Sequence, residues 1–322
     1  MRETDRRRPW RTTAAAALAA SLLFGGAACG TAPAETRAAT RGGTAPVAAT
    51  GPVRQGEVTR RLRDLETAYK GRIGAFAVDT GTGRVVGHRA HERFPFLSTF
   101  KALAAAAVLH KARTQDPGLM ERVVHWTEQE EKPNSPKTKG QGGPDKGMTV
   151  AQLCDAAIRY SDNTAGNMLL KQLGGPAGYT RHLRSLGDPV SRLDRWEIEL
   201  NDWKPGERND TTTPANMGAD LREVTAGGAL VPADRARLVG WLRANTTGDA
   251  RIRAGLPHWT VGDKTGSADA RANDVAVAWP PGAAAPVIIA VYTYRHDLTA
   301  PREDKVIADT AAVLARGLGL AP

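Results

Sequence analysis

Strand-like segments lie near both ends of this 322-residue chain, and a long helical region separates them. Residues 73–78 alternate in polarity, turn-forming residues follow at 79–83, and 84–88 returns as a hairpin partner. Late in the chain come three further strand-like segments and a closing helical segment, at 260–267, 274–279, 286–294 and 302–318. The pattern predicts one α/β domain built from both chain ends, a helical domain inserted into it, and a ligand cleft between the two.

The domain boundaries follow from this pattern. We assign 54–95 and 256–322 to the α/β domain and 96–255 to the helical domain. Residues 1–29 are assigned as an export signal, and 30–53, which are rich in Ala, Thr, Gly and Pro, as a flexible linker.

The amino-terminal segment has the features of an export signal. Consecutive arginines at 6–8 precede an apolar run at 14–24 that is too short to remain as a spanning helix. Small residues then precede Cys29, which makes it a candidate for lipidation. Gly26 stands where a large apolar residue is expected, so cleavage near Ala28 without lipidation is the alternative. General and twin-arginine export both stay open. We expect the protein outside the cell, released or anchored to the outer face of the membrane through Cys29.

Charge and composition argue against several classes of function. The formal net charge is +10, but the basic residues beyond the signal are dispersed and are not interleaved with aromatics, which does not favour nucleic-acid binding. Cys154 is the one cysteine after the signal, so no internal disulfide is expected, and it is interpreted as a buried thiol. His88 and His91 lack the spacing of a helical zinc pair. Neither a metal nor another cofactor is expected.

The sequence Ser98-Thr99-Phe100-Lys101 carries the first chemical signature. A serine and a lysine three residues apart at the start of a helix lie on one helical face. The following Ala-rich run, 102–110, is typical of a buried helix. A serine at a helix N-terminus has free backbone N–H groups beside it, and the lysine can accept its proton. A serine acyl-enzyme can form in this way without a histidine.

A second motif, Ser161-Asp162-Asn163, lies between two helical segments. Its serine can relay a proton, and its asparagine can bind a substrate amide. Taken alone, the motif also fits a helix N-cap in a turn.

A third motif, Lys264-Thr265-Gly266, lies on a predicted strand. Its lysine and threonine can bind a carboxylate, and its glycine lets a substrate backbone approach the strand edge. All three motifs in this order are improbable as a coincidence.

Together the three motifs resemble those of the penicillin-recognising serine enzymes, and specifically of class A β-lactamases. The likeness covers nearly all of residues 53–320. It includes longer stretches at 94–101, 161–165, 192–197, 210–214 and 261–266. The resemblance implies a five-stranded antiparallel sheet with flanking terminal helices, an inserted all-helical domain, and an active site in the cleft between them. The implied catalytic residues are Ser98, Lys101, Ser161, Glu197 and Lys264, and the implied substrate-binding residues are Asn163, Asn201, Thr265, Gly266, Ser267 and Arg251.

The resemblance also implies an omega loop at 195–210, pinned by a salt bridge between Arg195 and Asp210. Hydrolysis of a serine ester needs a water held by a general base. The resemblance gives this role to Glu197, with Asn201 helping to hold the water. In the family either Lys101 or this glutamate is the base for acylation.

Two further parts of the site come from the resemblance. The backbone N–H groups of Ser98 and Ser267 would form the oxyanion hole. Arg251 aligns with an arginine that some members use to meet the substrate carboxylate, and Arg253 is its competitor. Other members supply this arginine from the strand after the third motif, where Arg271 lies here.

Three residues depart from the family pattern. Ile198 replaces the proline that usually follows the general base, at a position where members often have a cis peptide. Asn134 stands where a gating tyrosine is common, and Ala268 stands where glycine is usual, in a turn one residue short. These departures bear on substrate range and rate more than on reaction type.

The expected function is hydrolysis of the β-lactam amide of penicillin- and cephalosporin-type antibiotics through a serine acyl-enzyme, which gives antibiotic resistance. One alternative is a D,D-peptidase acting on peptidoglycan, which needs no counterpart of Glu197. The other is a β-lactam-binding protein that stays acylated, an alternative that the three departures keep open. A monomer that binds small β-lactams is expected.

Overall fold

The structure is a computed structural model that describes residues 53–322. The predicted export signal, Cys29 and the linker up to residue 52 lie outside the described residues. Among residues 53–322, no helix combines the length and the apolar character needed to span a bilayer.

An antiparallel five-stranded sheet forms the centre of the fold. The strands of the described region are β1 (Gly71–Asp79), β2 (Val85–His88), β3 (Phe94–Pro95), β4 (Val123–Val124), β5 (Met148–Thr149), β6 (Thr211–Thr212), β7 (Thr260–Ala268), β8 (Arg271–Trp279) and β9 (Val287–Arg295). The order in the sheet is β2-β1-β9-β8-β7, so the chain ends supply all five strands, as predicted. β7 is an edge strand, and one row of its backbone groups has no partner strand.

Helices fill most of the region between β3 and β7. The α-helices of the described region are α1 (Gln55–Tyr69), α2 (Phe100–Thr114), α3 (Val150–Arg159), α4 (Asn163–Leu173), α5 (Gly175–Ser185), α6 (Pro214–Thr225), α7 (Pro232–Arg243), α8 (Ile252–Gly255) and α9 (Lys305–Gly317). The division into an α/β domain and an inserted helical domain stays a prediction.

Two predicted starts shift by three residues. β8 begins at Arg271 instead of 274, because the two residues Asp269 and Ala270 suffice to connect it to β7. The last helix begins at Lys305 instead of 302, since the chain leaves β9 through a turn held by Asp297, whose carboxylate accepts from the N–H of Thr299 at 2.9 Å.

The sheet is covered on both faces, which explains why β8 is buried along nearly its whole length. On one face, α1 and α9 contribute residues such as Leu62 and Leu314 to an apolar layer. The other face packs against a larger cluster centred on α2, whose alanines at 102–107 are all buried. The small side chains let neighbouring helices approach α2 closely, and its N-terminus reaches the cleft beside β7.

Candidate active site

Ser98 lies in a 3₁₀ turn, Leu97–Thr99, that leads directly into α2. Leu97 has a φ of 48°, an uncommon conformation for a leucine. β7 packs against this turn at Gly266, where a Cβ atom would lie 2.9 Å from Leu97 Cβ and 3.2 Å from Ser98 N. The glycine therefore lets the strand approach the nucleophile turn, and its predicted role in the approach of a substrate backbone stays a prediction.

Lys101 is fully buried beside Ser98. Its Nζ lies 2.9 Å from Ser98 Oγ, 2.9 Å from the carbonyl of Ser161 and 2.6 Å from Asn163 Oδ1. The same atom is 2.9 Å from Oε1 of Glu197, to which the Ser98 hydroxyl donates at 2.9 Å. Both candidate bases for acylation are therefore in direct contact with the nucleophile.

Space for Lys101 depends on Gly166, a residue that the sequence interpretation missed. A Cβ atom at this position on α4 would lie 2.7 Å from Lys101 Cε. A larger residue there would displace the lysine from the serine.

Ser161 lies between two lysines. Its carbonyl accepts from Lys101, and its hydroxyl accepts from Lys264 Nζ at 2.9 Å. Lys264 is fully buried, and burial, together with the neighbouring charge of Lys101, lowers its pKa well below the usual value. A lysine of lowered pKa that contacts a serine hydroxyl can pass protons through that hydroxyl.

The remaining two residues of the second motif hold it in place. The Asp162 carboxylate accepts from the N–H of Ala165 at 2.9 Å and so caps α4. Asn163 Nδ2 donates to the carbonyl of Pro133 at 2.9 Å. Its second N–H remains for a substrate, and Asn163 lines the cleft. The motif therefore caps α4 through Asp162, and its role in substrate binding stays a prediction.

Glu197 is buried, and both its carboxylate and its backbone form hydrogen bonds. Asn201 Nδ2 donates to its second carboxylate oxygen, Oε2, at 3.0 Å. Asn167 binds its backbone twice, through Glu197 N to Oδ1 at 2.9 Å and through Nδ2 to Glu197 O at 2.8 Å. Sequence reasoning missed Asn167, although it lies four residues after Asn163 and so on the same face of α4.

The loop that carries Glu197 is closed by a charged contact. Arg195 Nε lies 2.6 Å from Asp210 Oδ2, and Asp210 Oδ1 accepts from the backbone N–H groups of Asp194 and Arg195 at 2.7 and 2.9 Å. The peptide bond between Glu197 and Ile198 is cis, although the second residue is not proline.

Of the three candidate arginines, Arg251 is the one that lines the cleft. It is 3% exposed, and its guanidinium donates to Ser267 Oγ at 2.6 Å and to the carbonyl of Gly266 at 2.9 Å. Arg253 instead forms an ion pair with buried Asp263 at 2.6 Å. Arg271 is directed to backbone carbonyls of the Glu197 loop.

The cleft has a volume of about 560 Å³ and brings the predicted site residues Ser98, Ser161, Asn163, Asn201, Arg251, Thr265 and Ser267 together. Asn134 lines it too, and Tyr160 supplies an aromatic side chain that the sequence interpretation missed. Lys137 Nζ lies 4.2 Å from the centre of the Tyr160 ring.

Cys154 is buried, as expected, and burial raises the pKa of its thiol.

No group of three or more His, Cys, Asp or Glu residues within 53–322 is arranged to hold a metal ion. The groups that the structure brings into contact at the cleft are the serine, the two lysines and the buried glutamate. This site and fold define the protein as a serine hydrolase of the acyl-enzyme type.

Comparison with known proteins identifies the family. A family model described as "Beta-lactamase enzyme family" matches residues 57–318. The chain is 49% identical over 321 residues to β-lactamase AST-1 of Nocardia asteroides, covering 99% of this chain and 97% of that protein. It is 46% identical to the carbapenem-hydrolysing β-lactamase KPC of Klebsiella oxytoca, covering 82% and 89% of the two chains. The crystal structure of a β-lactamase from Streptosporangium roseum superposes with a TM-score of 0.80 at 62% identity, covering 82% of this chain and 99% of that one.

The chain belongs to the β-lactamase enzyme family, and within it to the class A serine enzymes. The family resemblance, the α/β fold and the enzyme class predicted from the sequence are confirmed. The D,D-peptidase and non-hydrolysing alternatives are not favoured.

Proposed function

We propose that this β-lactamase hydrolyses its substrate in two steps, with Ser98 as the nucleophile and Glu197 as the base for the second step. The observation that carries the proposal is the pair of contacts made by the Glu197 carboxylate. One of its oxygens accepts from Ser98 Oγ at 2.9 Å, and the other accepts from Asn201 Nδ2 at 3.0 Å. A base in this position can deprotonate a water beside the acyl carbonyl.

In the first step Ser98 Oγ attacks the β-lactam carbonyl and loses its proton to Lys101 or Glu197. The backbone N–H groups of Ser98 and Ser267 stabilise the oxyanion. Ser161, in contact with buried Lys264, donates a proton to the ring nitrogen as the amide bond breaks. The product is a serine ester with the lactam ring open.

Substrate binding involves the edge of β7. Lys264, Thr265 and Ser267 hold the substrate carboxylate, and Arg251, which is paired with Asp304 at 2.9 Å, positions Ser267 Oγ at 2.6 Å. Thr265 Oγ1 is held 2.6 Å from Thr247 Oγ1, which fixes the hydroxyl at the rim of the cleft. Asn163 binds the amide of the acylamino side chain through its remaining N–H.

In the second step, water attacks the ester carbonyl while Glu197 takes its proton. The ester bond breaks, and Ser98 recovers its hydroxyl proton. Asn201 orients both the water and the carboxylate.

Glu197→Gln tests this assignment. With a chromogenic cephalosporin, the variant should acylate Ser98 and then accumulate as a stable acyl-enzyme, detected by intact-protein mass. Glu199→Gln is the matched control, since Glu199 lies on the same loop, has a side chain 54% exposed, and among residues 53–322 forms an ion pair only with Lys132, at 3.4 Å. Normal turnover by Glu197→Gln would show that another group is the base. A wild-type enzyme that is acylated once and not released would contradict the hydrolytic function itself.

We also propose export of the chain, lipid attachment at Cys29 and a monomeric state. The basic and apolar composition of residues 1–29 and the small residues before Cys29 support export and anchoring. Cell fractionation of the wild type and of Cys29→Ser tests the anchor. If Cys29 is lipidated, the wild type should stay with the membrane fraction and only the variant should be released into the medium. Light scattering of the purified enzyme tests the monomer.

A further inference from the structure

Arg271 stands at the start of β8, next to the strand that binds substrate, and is 5% exposed. Its Nη1 donates to two carbonyls of the Glu197 loop, Asn201 O at 3.0 Å and Trp203 O at 2.8 Å. Its other nitrogens remain on its own hairpin, where Nε donates to Ala268 O at 3.3 Å and Nη2 contacts Asp269 Oδ2 at 3.0 Å. The guanidinium therefore connects the Glu197 loop to the β7–β8 hairpin, and four of its five N–H groups bond protein oxygens.

The backbone that Arg271 holds belongs to a residue of the hydrolytic machinery. Asn201 ends a 3₁₀ turn, Glu199–Asn201, and its side chain donates to Glu197 Oε2 at 3.0 Å and to Ile198 O at 2.9 Å. Holding Asn201 by its carbonyl limits the rotation of this turn. The position of the Asn201 amide, and with it the direction of the Glu197 carboxylate, depends on that restraint.

A second contact docks the same loop segment on the same end of the sheet. Trp203 is 3% exposed, and its ring lies 5.4 Å from that of Tyr294 on β9, in an edge-to-face arrangement. Tyr294 is the residue paired with Arg271 across β8 and β9. The segment from Asn201 to Trp203 therefore contacts two adjacent strands, through Arg271 on β8 and Tyr294 on β9.

We propose that Arg271 is a positioning residue for deacylation: it fastens the loop that carries Asn201 and Glu197 to the substrate-binding hairpin. The proposal rests on the proposed role of Glu197. While Arg271 is in place, the water-activating groups keep a fixed distance from the acyl carbonyl at the edge of β7. Without it, two backbone carbonyls of the loop lose their donor and the loop can move away from the ester.

The chemistry of arginine suits this task. A guanidinium has five N–H donors in a planar arrangement, so it can serve two carbonyls of the loop and two oxygens of the hairpin together. A lysine ammonium has three donors at one point and reaches fewer of these acceptors. A glutamine is shorter and uncharged.

The proposal predicts a particular kinetic pattern. If deacylation alone slows, kcat and KM fall together, and kcat/KM keeps its value because it reports the steps up to acylation. A loss of substrate binding would instead raise KM at constant kcat.

The test compares Arg271→Gln and Arg271→Lys with Arg295→Gln in the full mature enzyme. Arg295 is a matched control because it is a partly buried arginine at the end of the neighbouring strand β9, and it donates to two carbonyls, Tyr69 O at 2.8 Å and Pro301 O at 2.8 Å. These carbonyls lie at the end of α1 and in the segment between β9 and α9, not on the Glu197 loop. Thermal unfolding, steady-state kinetics with a cephalosporin, and the lifetime of the acyl-enzyme by mass are measured for all three.

We expect Arg271→Gln to lower kcat and KM together by about tenfold or more, with a longer-lived acyl-enzyme. Arg271→Lys should lose less, and it provides the kinetic reading if the glutamine variant does not fold. Arg295→Gln should lose thermal stability with unchanged acyl-enzyme lifetime. Equal acyl-enzyme lifetimes in wild type and both Arg271 variants would overturn the proposal, as would a selective rise in KM. Failure of the proposed function is distinguishable, since Glu197→Gln would then also turn over normally.

Discussion

Two walls of the cleft are held together in different ways. The helical wall carries Ser98 and Lys101, and the loop wall carries Glu197 and Asn201. On the helical wall, the functional side chains contact one another: Lys101 reaches Ser98, Asn163 and the carbonyl of Ser161 directly. On the loop wall, Glu197 and Asn201 contact each other, but the loop depends on residues far away in the sequence. The supports are Asn167 on α4, Asp210 at the far end of the loop, and Arg271 on β8.

We expect the two walls to contribute unequally to the two chemical steps, although Glu197 also contacts Ser98 at 2.9 Å and is a candidate base for acylation. The helical wall holds the nucleophile and its lysine, so damage to it should slow the formation of the acyl-enzyme. The loop wall holds the water-activating carboxylate, so damage to its supports should slow release. A substitution on each wall can be assigned by asking which of the two rates it changes.

The largest effect is expected from Lys101→Met on the helical wall. The variant removes the charged donor to the Ser161 carbonyl and to Asn163, together with the contact to Ser98. The rate of acylation should fall by about a thousandfold. Stopped-flow measurement of acylation checks this. Lys111→Met is the control, because Lys111 lies on the same helix and its ammonium donates to the carbonyl of Gln172, away from the site. Fast acylation followed by slow release would place Lys101 functionally on the loop wall.

A smaller effect is expected from Asn167→Ala on the loop wall. The variant leaves the backbone N–H and carbonyl of Glu197 without their amide partner. We expect kcat and KM to fall together by about tenfold, because the carboxylate loses its alignment while acylation proceeds. Gln172→Ala, on the same helix, is the control. A fall in kcat/KM without any change in acyl-enzyme lifetime would contradict the separation of the two walls.

The sequence predicted the helical wall better than the loop wall for a physical reason. Ser98 and Lys101 are three residues apart where the 3₁₀ turn leads into α2, and Ser161 and Asn163 are two residues apart, so local spacing carries the signal. The five strands were predicted to within three residues, because their apolar pattern reports burial in a sheet covered on both faces.

No short-range spacing in the sequence marks the residues that hold the loop wall in place. The sequence makes Arg271 a candidate for the substrate carboxylate, whereas in the structure its guanidinium donates to two carbonyls of the Glu197 loop. Gly166 looks like any helical glycine until Lys101 packs against it. Contacts between segments that are distant in the sequence depend on the complete topology, which a motif does not contain.

The smallest effect on catalysis is expected at a buried acid outside both walls, Asp220 on α6. Burial, followed by the neighbouring Asp188, raises the pKa of Asp220 from its ordinary 3.8 to about 9. In the unfolded chain this acid ionises near pH 4, while in the folded enzyme it stays protonated up to about pH 9. Between these two pH values, unfolding therefore releases a proton. The protonated acid makes its full contribution to the free energy of unfolding below pH 4, and this contribution is lost as the pH rises towards 9.

Asp220→Asn removes this titration and keeps a donor for Asp188, which in turn accepts from the N–H groups of Val190 and Ser191 at 2.7 and 3.0 Å. The decline in free energy of unfolding, at most about 1.4 kcal/mol per pH unit, should become shallower in the variant. Thermal unfolding at pH 5, 7 and 9 measures the slope, with both kinetic steps followed at pH 7. An unchanged slope would show that Asp220 is ionised in the folded enzyme. A selective change in deacylation would show that the loop wall extends to α6, because Asp188 holds the chain just before the loop that carries Glu197.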